Sequence, residues 1–282
     1  MYSVKFISEN GQSFLFDARV GVVADFDLAS GMNTAIGTTQ SFGQTGETIE
    51  TKSVGSRQIA VKGVIFESIA QKKAKLRKVI TPFTNGKLLF NDKYEISVAV
   101  EESPTFKPAK DDGTFTILFK APYPFFKGKD TIIKLLGEIT PQFKFPVNYA
   151  TPHSFGVRAK GKTLKIVNDS DVKIPFAMHI VSSGATRNLT VSNLKTFKKL
   201  QINATITSGD VIQFYRDKDN FLHCELVSRG KTTDILDKIT EDSDLFYLDA
   251  GDNLLSATDE NGSENFTLYL VYREEVVNVF EY

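Results

Sequence analysis

Residues 156–163 read Gly-Val-Arg-Ala-Lys-Gly-Lys-Thr and fit the spacing G-x-x-x-x-G-K-[ST], with which a chain can cradle nucleotide phosphates. That chemistry needs a buried strand to deliver the glycine-rich turn, whose N–H groups converge on phosphate, and a following helix to add the positive end of its dipole. Neither is written here. Upstream, "NYATPHSF" is not an apolar strand, and downstream "LKIVNDSDVKIPF" places Leu164 and Ile166 at period two before a turn and Pro175. Lys162 and Thr163 therefore lead into a strand, and the sequence argues against a nucleotide site.

Other reactive residue types are scattered rather than convergent. His153, His179 and His223 lie far apart, none within an H-E-x-x-H helix, and His179 is out of phase with Met178 and Ile180 in "FAMHIV". No G-x-S-x-G elbow presents a serine nucleophile. Asp217 with Asp219, Asp242 with Asp244, and Asp259 with Glu260 sit in turn-like stretches without full calcium-loop spacing. The single cysteine, Cys224, excludes an internal disulfide and alternates with Leu222 and Leu226 as a small core residue. Sequons at Asn168, Asn188, Asn203, Asn261 and Asn265 are read as unmodified. No catalytic, cofactor-binding or metal-binding residue is assigned, and an enzyme is not expected.

The elements that carry these residues are mainly strands. "KYEISVAVEE" groups Tyr94, Ile96, Val98 and Val100 on one face, "TFTILF" groups Phe115, Ile117 and Phe119, and "RQIAVKGVIF" groups Ile59, Val61 and Ile65. These are half-buried antiparallel strands. In "FESIAQKKAKLRKVITPF" the spacing of Phe66, Ile69, Leu76, Val79, Ile80 and Phe83 predicts one helix, which Pro82 stops. Lys72, Lys73, Lys75 and Lys78 fill its other surface, either as a solvated face or as an interface for an acidic partner. Residues from Ala29 to Gly55, rich in Gly, Thr, Ser and Gln with little periodicity, predict a long excursion of the kind that serves interaction.

After "APYPFF" the stretch "KGKDTIIKLLGEITPQFKFPVNYATPH" breaks the pattern, and a boundary is placed inside it: one domain over 1–140, another over 152–282, with a linker at about 127–151. The second half resumes short strands with turns at Asn168 to Asp171, Gly184, Ser208 to Asp210, Asp217 to Asn220 and Gly251 to Asn253. With one short helical candidate at "TDILDKI", this predicts a β-sandwich. Lys plus Arg and Asp plus Glu both total 34, so the net charge is zero and no global field attracts nucleic acid. The N-terminal "MYSVKFISENGQSF" lacks the order of a secretory signal and no apolar run reaches membrane-spanning length, so assembly from the cytosol without membrane insertion is expected.

Two regions together carry a resemblance. The helix after "RQIAVKGVIF", the "KLLFNDKYEISVAVEE" hairpin and the ending "GTFTILFKAPYPFF", with Pro122, Tyr123 and Pro124 at its corner, resemble the N-terminal domain of the distal tail (Dit) proteins of long-tailed bacteriophages. The second half resembles the galectin-like domain that follows it, matching at Asn168, Pro175, Gly209, Asp210, Gly251 and Asn253. The resemblance implies an N-terminal β-sandwich or split-barrel-like domain with one α-helix, then a galectin-like antiparallel β-sandwich. It further implies a structural, non-enzymatic hub at a phage or prophage tail tip, made and assembled in the host cytoplasm without a cofactor. The implied partners are a homohexameric ring of itself, the tail tube, the tail-associated lysin or adhesion hub, and peripheral receptor-binding proteins, with no specific nucleic-acid binding. Inter-subunit contact is carried over to the Ala29–Gly55 excursion. The alternative is a carbohydrate-binding galectin-like protein; the absence of tryptophan weighs against it, while Tyr215, Tyr247 and Tyr269 are the aromatic platforms it would use.

Overall fold

The computed structural model describes residues 3–28, 32, 34–108, 112–136, 139–141, 156–158, 163–217, 220–260, 262 and 265–279. The chain forms two compact units, Met1–Asp130 with Glu275–Tyr282, and Thr131–Glu274. Every strand ladder among the described residues is antiparallel.

Unit 1 contains β1 (Val4–Ser8), β2 (Ser13–Phe16), β3 (Val22–Phe26), β4 (Thr34–Thr39), β5 (Thr48–Val54), β6 (Arg57–Ile65), α1 (Ile69–Val79), β7 (Asn85–Phe90), β8 (Tyr94–Phe106), β9 (Thr114–Ala121) and β10 (Phe126–Gly128). The main sheet runs β2-β1-β7-β8-β9-β6-β3, with β10 attached to β8. Its alternating phenylalanines point to one side, because successive strand side chains face opposite ways. The sheet curls until its two edges meet through the rings of Phe16 and Phe26, 5.4 Å apart. The expected strand faces are the buried ones: Tyr94, Ile96, Val98 and Val100 on β8, and Phe115, Ile117 and Phe119 on β9.

The helix departs from its predicted face at both ends. Leu76, Val79 and Ile80 are buried, but Phe66 and Phe83 lie outside α1 and are 51% and 98% exposed. The Ala29–Gly55 excursion, of which 29–31 and 33 lie outside the described residues, is a two-stranded ribbon of β4 and β5. It lacks alternation in its sequence because it has no buried face to satisfy.

Unit 2 contains β11 (Ile132–Leu136), β12 (Ile139–Pro141), β13 (Gly156–Arg158), β14 (Thr163–Asn168), β15 (Ala177–Ser182), β16 (Thr186–Asn193), β17 (Lys198–Ile206), β18 (Val211–Arg216), β19 (Leu222–Ser228), β20 (Lys231–Asp234), β21 (Gly251–Thr258) and β22 (Phe266–Tyr272). A six-stranded sheet, β11-β22-β15-β18-β19-β20, and a four-stranded sheet, β14-β21-β16-β17, contribute to one core. From the first come Met178, Ile180, Ile212, Leu268 and Leu270, and from the second Leu189, Val191, Leu200, Ile202 and Leu255. The helical candidate "TDILDKI" is instead the end of β20 and a 3-10 turn over Leu236–Lys238. Its leading residues extend the sheet edge, pairing Glu225 with Asp234, and this ladder leaves too few residues for an α-helix.

The chain then returns to unit 1 as β23 (Glu275–Val276), which pairs with β10. The observed division thus differs from 1–140 and 152–282. Lys127 and Gly128 belong to β10, Ile132 to Leu136 form a sheet edge of unit 2, and the C-terminal residues belong to the first unit. Residues 142–155, most of the remaining expected linker, lie outside the described residues.

Candidate interaction surface

The phosphate-loop spacing lands in a setting that cannot use it. Gly156–Arg158 is β13, and Thr163 opens β14, so a strand stands where a phosphate loop requires a helix N-terminus. Lys162, His153, Asp219 and Asn261 lie outside the described residues. His179 faces outward from β15, level with Tyr269 and Gln213. His223 stacks on Tyr215, with ring centroids 5.1 Å apart, and its Nε2 lies 3.2 Å from Asp217 Oδ2. Among the described residues no three His, Cys, Asp or Glu side chains are placed to share a metal ion, and no helix is long and apolar enough to cross a membrane. Cys224 is fully buried, and burial pushes its thiol up to about 12, so it is protonated and unreactive at neutral pH.

The acidic pairs are likewise turn-bound. Asp242 pairs with Lys199, Asp244 accepts a hydrogen bond from the Lys199 backbone, and Asp259 is buried. A cavity of about 300 Å³ between edge strands β11 and β14 is bordered by Lys134, Lys165, Asp169, Tyr272 and Glu274. Its charges are of both signs and Lys165 is paired with Asp252 at 3.0 Å, so no single ligand charge is selected.

The residues matched to the phage family in unit 2 prove to be turn builders. Asn168 donates to the carbonyls of Val172, Leu248 and Asp249 and accepts from the Ser170 N–H at 3.0 Å. That buried position also makes its sequon unusable. Asn253 accepts from the Asp249 N–H at 3.0 Å and from Asn193 at 3.2 Å, while donating to the Asp249 and Gly251 carbonyls. Asp210 accepts from the Thr207 N–H and hydroxyl at 2.8 and 2.9 Å. Gly209 at φ 90° and Gly251 at φ 83° hold left-handed turn positions open to glycine. Pro175 follows the isolated bridge between Ile174 and Leu248.

In unit 1 the Pro122-Tyr123-Pro124 corner seats the returning chain. Tyr123 donates to Glu275 Oε2 at 2.5 Å, Lys127 lies 3.9 Å from Glu275 Oε1, and its ammonium sits 4.5 Å from the centre of the Tyr123 ring. Glu275 is only 2% exposed, so these partners stabilise a carboxylate out of water. Arg57 donates to the Val277 carbonyl at 2.9 Å from over the Phe126 ring. The sequence marked only the Pro122-Tyr123-Pro124 half of this seat, because Glu275 lies about 150 positions away.

The β4–β5 ribbon is exposed on both faces. Ile36, Ile49 and Val54 are exposed along it, and Phe42 stands fully in solvent at its tip. The tip is nevertheless ordered by side chains: Gln44 accepts from the Ser41 N–H at 3.0 Å and donates to Thr48 at 2.9 Å. At Gly37 a Cβ would stand 2.3 Å from Thr51 Oγ1 across the ladder, so any side chain there would make the Thr51 hydroxyl turn away. Of the aromatic platforms, Tyr215 has one ring face covered by His223 and Tyr247 lies under Arg216, with the guanidinium 5.8 Å from its centre. Tyr269 faces outward, partly exposed, beside His179.

No protein-family model matches the sequence, and no curated protein sequence matches it. Among solved structures, a chain of the phage P2 baseplate in its activated conformation with calcium aligns at a TM-score of 0.44 and 13% identity, covering 99% of this chain and 100% of that one. A TM-score of 0.65 is reached with the Dit protein of phage SPP1, described as a paradigm of the hub adsorption apparatus in phages infecting Gram-positive hosts. The identity is 13%, and the alignment covers 98% of this chain and 99% of SPP1 Dit. The likeness is one of fold, and it takes in both units in the same order.

Proposed function

We propose that this chain is a structural hub at the distal end of a phage or prophage tail. In this reading it forms a ring, a homohexamer, that joins the tail tube to an adhesion device or tail-associated lysin, and it performs no catalysis. The observation that carries the reading is the end-to-end likeness to SPP1 Dit, in which neither chain has a large unmatched piece. A ring of identical subunits needs one patch to meet a different patch on its neighbour. The β4–β5 ribbon, which forms a sheet of its own and buries no face, is one element available for such contact. Unit 2 would present surfaces to peripheral receptor-binding proteins. A net charge of zero suits a conduit through which DNA slides without sticking, because phosphate binding grows with the cations presented.

Negative-stain imaging and light scattering of the purified chain test this directly. Six-fold rings are expected, with antibody against the chain decorating virion tail tips. A chain absent from virions and monomeric at every concentration would sink the reading.

A second reading, carbohydrate binding, draws on the outward row Tyr269, His179, Gln213 and Glu225 across β22, β15, β18 and β19, an aromatic surface beside placed polar groups. It requires reproducible glycan-array binding by the full chain that Tyr269→Ala abolishes. Silence on the array leaves the hub reading alone.

A further inference from the structure

Eight described residues other than glycine have positive φ, and only two of them are aromatic: Phe83 at 65° and Phe197 at 59°. Asn and Asp tolerate this region through their short polar side chains, whereas a bulky side chain there is an outlier. Phe83 lies in the turn Thr81-Pro82-Phe83-Thr84, closed by the Thr84 N–H on the Thr81 carbonyl at 3.2 Å. With proline second and positive φ third, this is the pattern of a turn that calls for glycine at the third position. The chain instead carries a phenylalanine there, and its side chain is 98% exposed. Within one molecule that choice is unfavourable twice, in backbone conformation and in apolar exposure. Strained, exposed positions of this kind collect at sites of contact, and buried aromatic anchors dominate interfaces.

The surroundings of Phe83 indicate what covers it. Along the chain, residues 68–91 include Lys72, Lys73, Lys75, Arg77, Lys78 and Lys87 and no acidic residue, while across the ladder the Thr84 carbonyl accepts from the Val100 N–H, so Glu101 and Glu102 follow beside the turn. Arg77 and Lys73 lean over the Phe106 ring, leaving Lys75 and Lys78 exposed on α1. The matching surface is an apolar spot flanked by carboxylates, and the same unit presents one. Across β8, β9 and β6 to the end of β3, Glu102 stands level with Leu118, Leu118 with Ala60, and Ala60 with Asp27. Ala60 and Leu118 are half-buried, with exposed Asp27 and Glu102 at the two ends of the row. Asp25 lies alongside, opposite Lys62, and Glu101 accepts from the Gln58 amide, so with Lys120 counted the carboxylates of this face still outnumber its cations.

We propose that Phe83, with Lys75 and Lys78, anchors one copy of this chain onto the Asp27–Ala60–Leu118–Glu102 face of a second copy. The two patches differ, so the contact is heterologous and suits a closed ring. The inference rests on the ring-forming reading and gives it residues.

The test uses the full chain and its Phe83→Gly and Glu102→Lys variants, with the assembly state read by light scattering across a concentration series and the thermal midpoint read in parallel. For Phe83→Gly, self-association weakens by about 100-fold or more while the midpoint holds or rises, because glycine is at home at this φ. For Glu102→Lys, association weakens by about tenfold and is restored by adding Lys78→Glu. A wild type that assembles together with a Phe83→Gly variant that assembles equally overturns this contact but leaves the ring standing. A Phe83→Gly variant that melts well below wild type makes Phe83 a folding residue and also overturns it. Glu102→Lys without effect overturns the assigned acceptor face. A wild type that never self-associates overturns the ring reading itself.

Discussion

In unit 1 the largest fully buried side chains include Phe6, Phe26, Phe90, Phe115, Phe119 and Phe126, and their rings form a chain of contacts: Phe16 to Phe26 at 5.4 Å, Phe26 to Phe90 at 5.5 Å, Phe90 to Phe126 at 5.4 Å. In unit 2 the core is mainly aliphatic, with Ile166, Ile174, Ile180, Ile202, Leu248, Leu255 and Leu270, and among the described residues one buried ring pair, Phe176 with Phe246 at 5.3 Å. The difference follows from architecture. A single sheet curling on itself encloses an interior filled mostly from its own strands, with Leu76 and Val79 of α1 adding to it, and wide rings reach across it. Two packed sheets stand about 10 Å apart, a gap that interleaved leucine and isoleucine already fill. Unit 2 spends its polar residues at the sheet ends instead, where Asn168, Asn193 and Asn253 tie turns from within.

The comparison can be broken most forcefully at Phe26, which touches the rings of both Phe16 and Phe90. Phe26→Ala is expected to destabilise unit 1 by about 3–5 kcal/mol. Hydrogen exchange should then show protection falling across β1, β3 and β7 while β15 and β22 keep theirs; equal loss in both units would mean that they unfold as one. Next in size is Asn253→Ala, which strips partners from the Asp249 N–H and Asn193 and should cost unit 2 about 1–3 kcal/mol. Here Cys224 is a built-in reporter: its buried thiol should react with a disulfide reagent faster in the variant and remain protected in Phe26→Ala.

The smallest effect sharpens the comparison through pH. Hydrogen bonds from Ser228 and then the Thr207 backbone hold the Asp210 carboxyl below its ordinary range. A folded value lower than the unfolded one gives stability that is fully present above the unfolded pKa, near 4, and lost as pH falls through the folded value. Thermal midpoints of unit 2 should therefore decline below about pH 4, and less steeply in Asp210→Asn. Asp17 in unit 1 is lowered chiefly by the Arg19 side chain, so the same direction of loss is expected there. An Asp210→Asn variant with an unchanged acid slope would remove the turn carboxylate from the account.

How legible each region was depended on where its partners lie in the chain. Strands β8 and β9 were readable because each buries one face, and α1 because Leu76 and Val79 share a stripe that ends before Pro82. The turns of unit 2 were readable because Gly209 and Gly251 act locally and Asn168 binds Val172 four residues on, while its bonds to Leu248 and Asp249 were not readable. The β4–β5 ribbon was visible only as a gap in periodicity, since strands without a buried face leave no alternation. Phe66 and Phe83 mimicked a helical stripe by spacing alone, and their exposure could not be read from type. The pairing of the Tyr123 corner with Glu275 was silent because it is long-range: Lys127 and Glu275 carry no local signature.

The return of the chain through β23 has an engineering consequence. The outgoing strand β10 and the incoming β23 are ladder neighbours, with Lys127 opposite Glu275, while Ile132 stands opposite Tyr272 at the start of unit 2. Everything from Thr131 to Glu274 is thus a cassette spliced into what would otherwise be a hairpin. A short turn could replace it without disturbing the seat of either end, and a different module could be grafted at the same two points. Two covalent struts, rather than one tether, would carry any pull applied to that cassette.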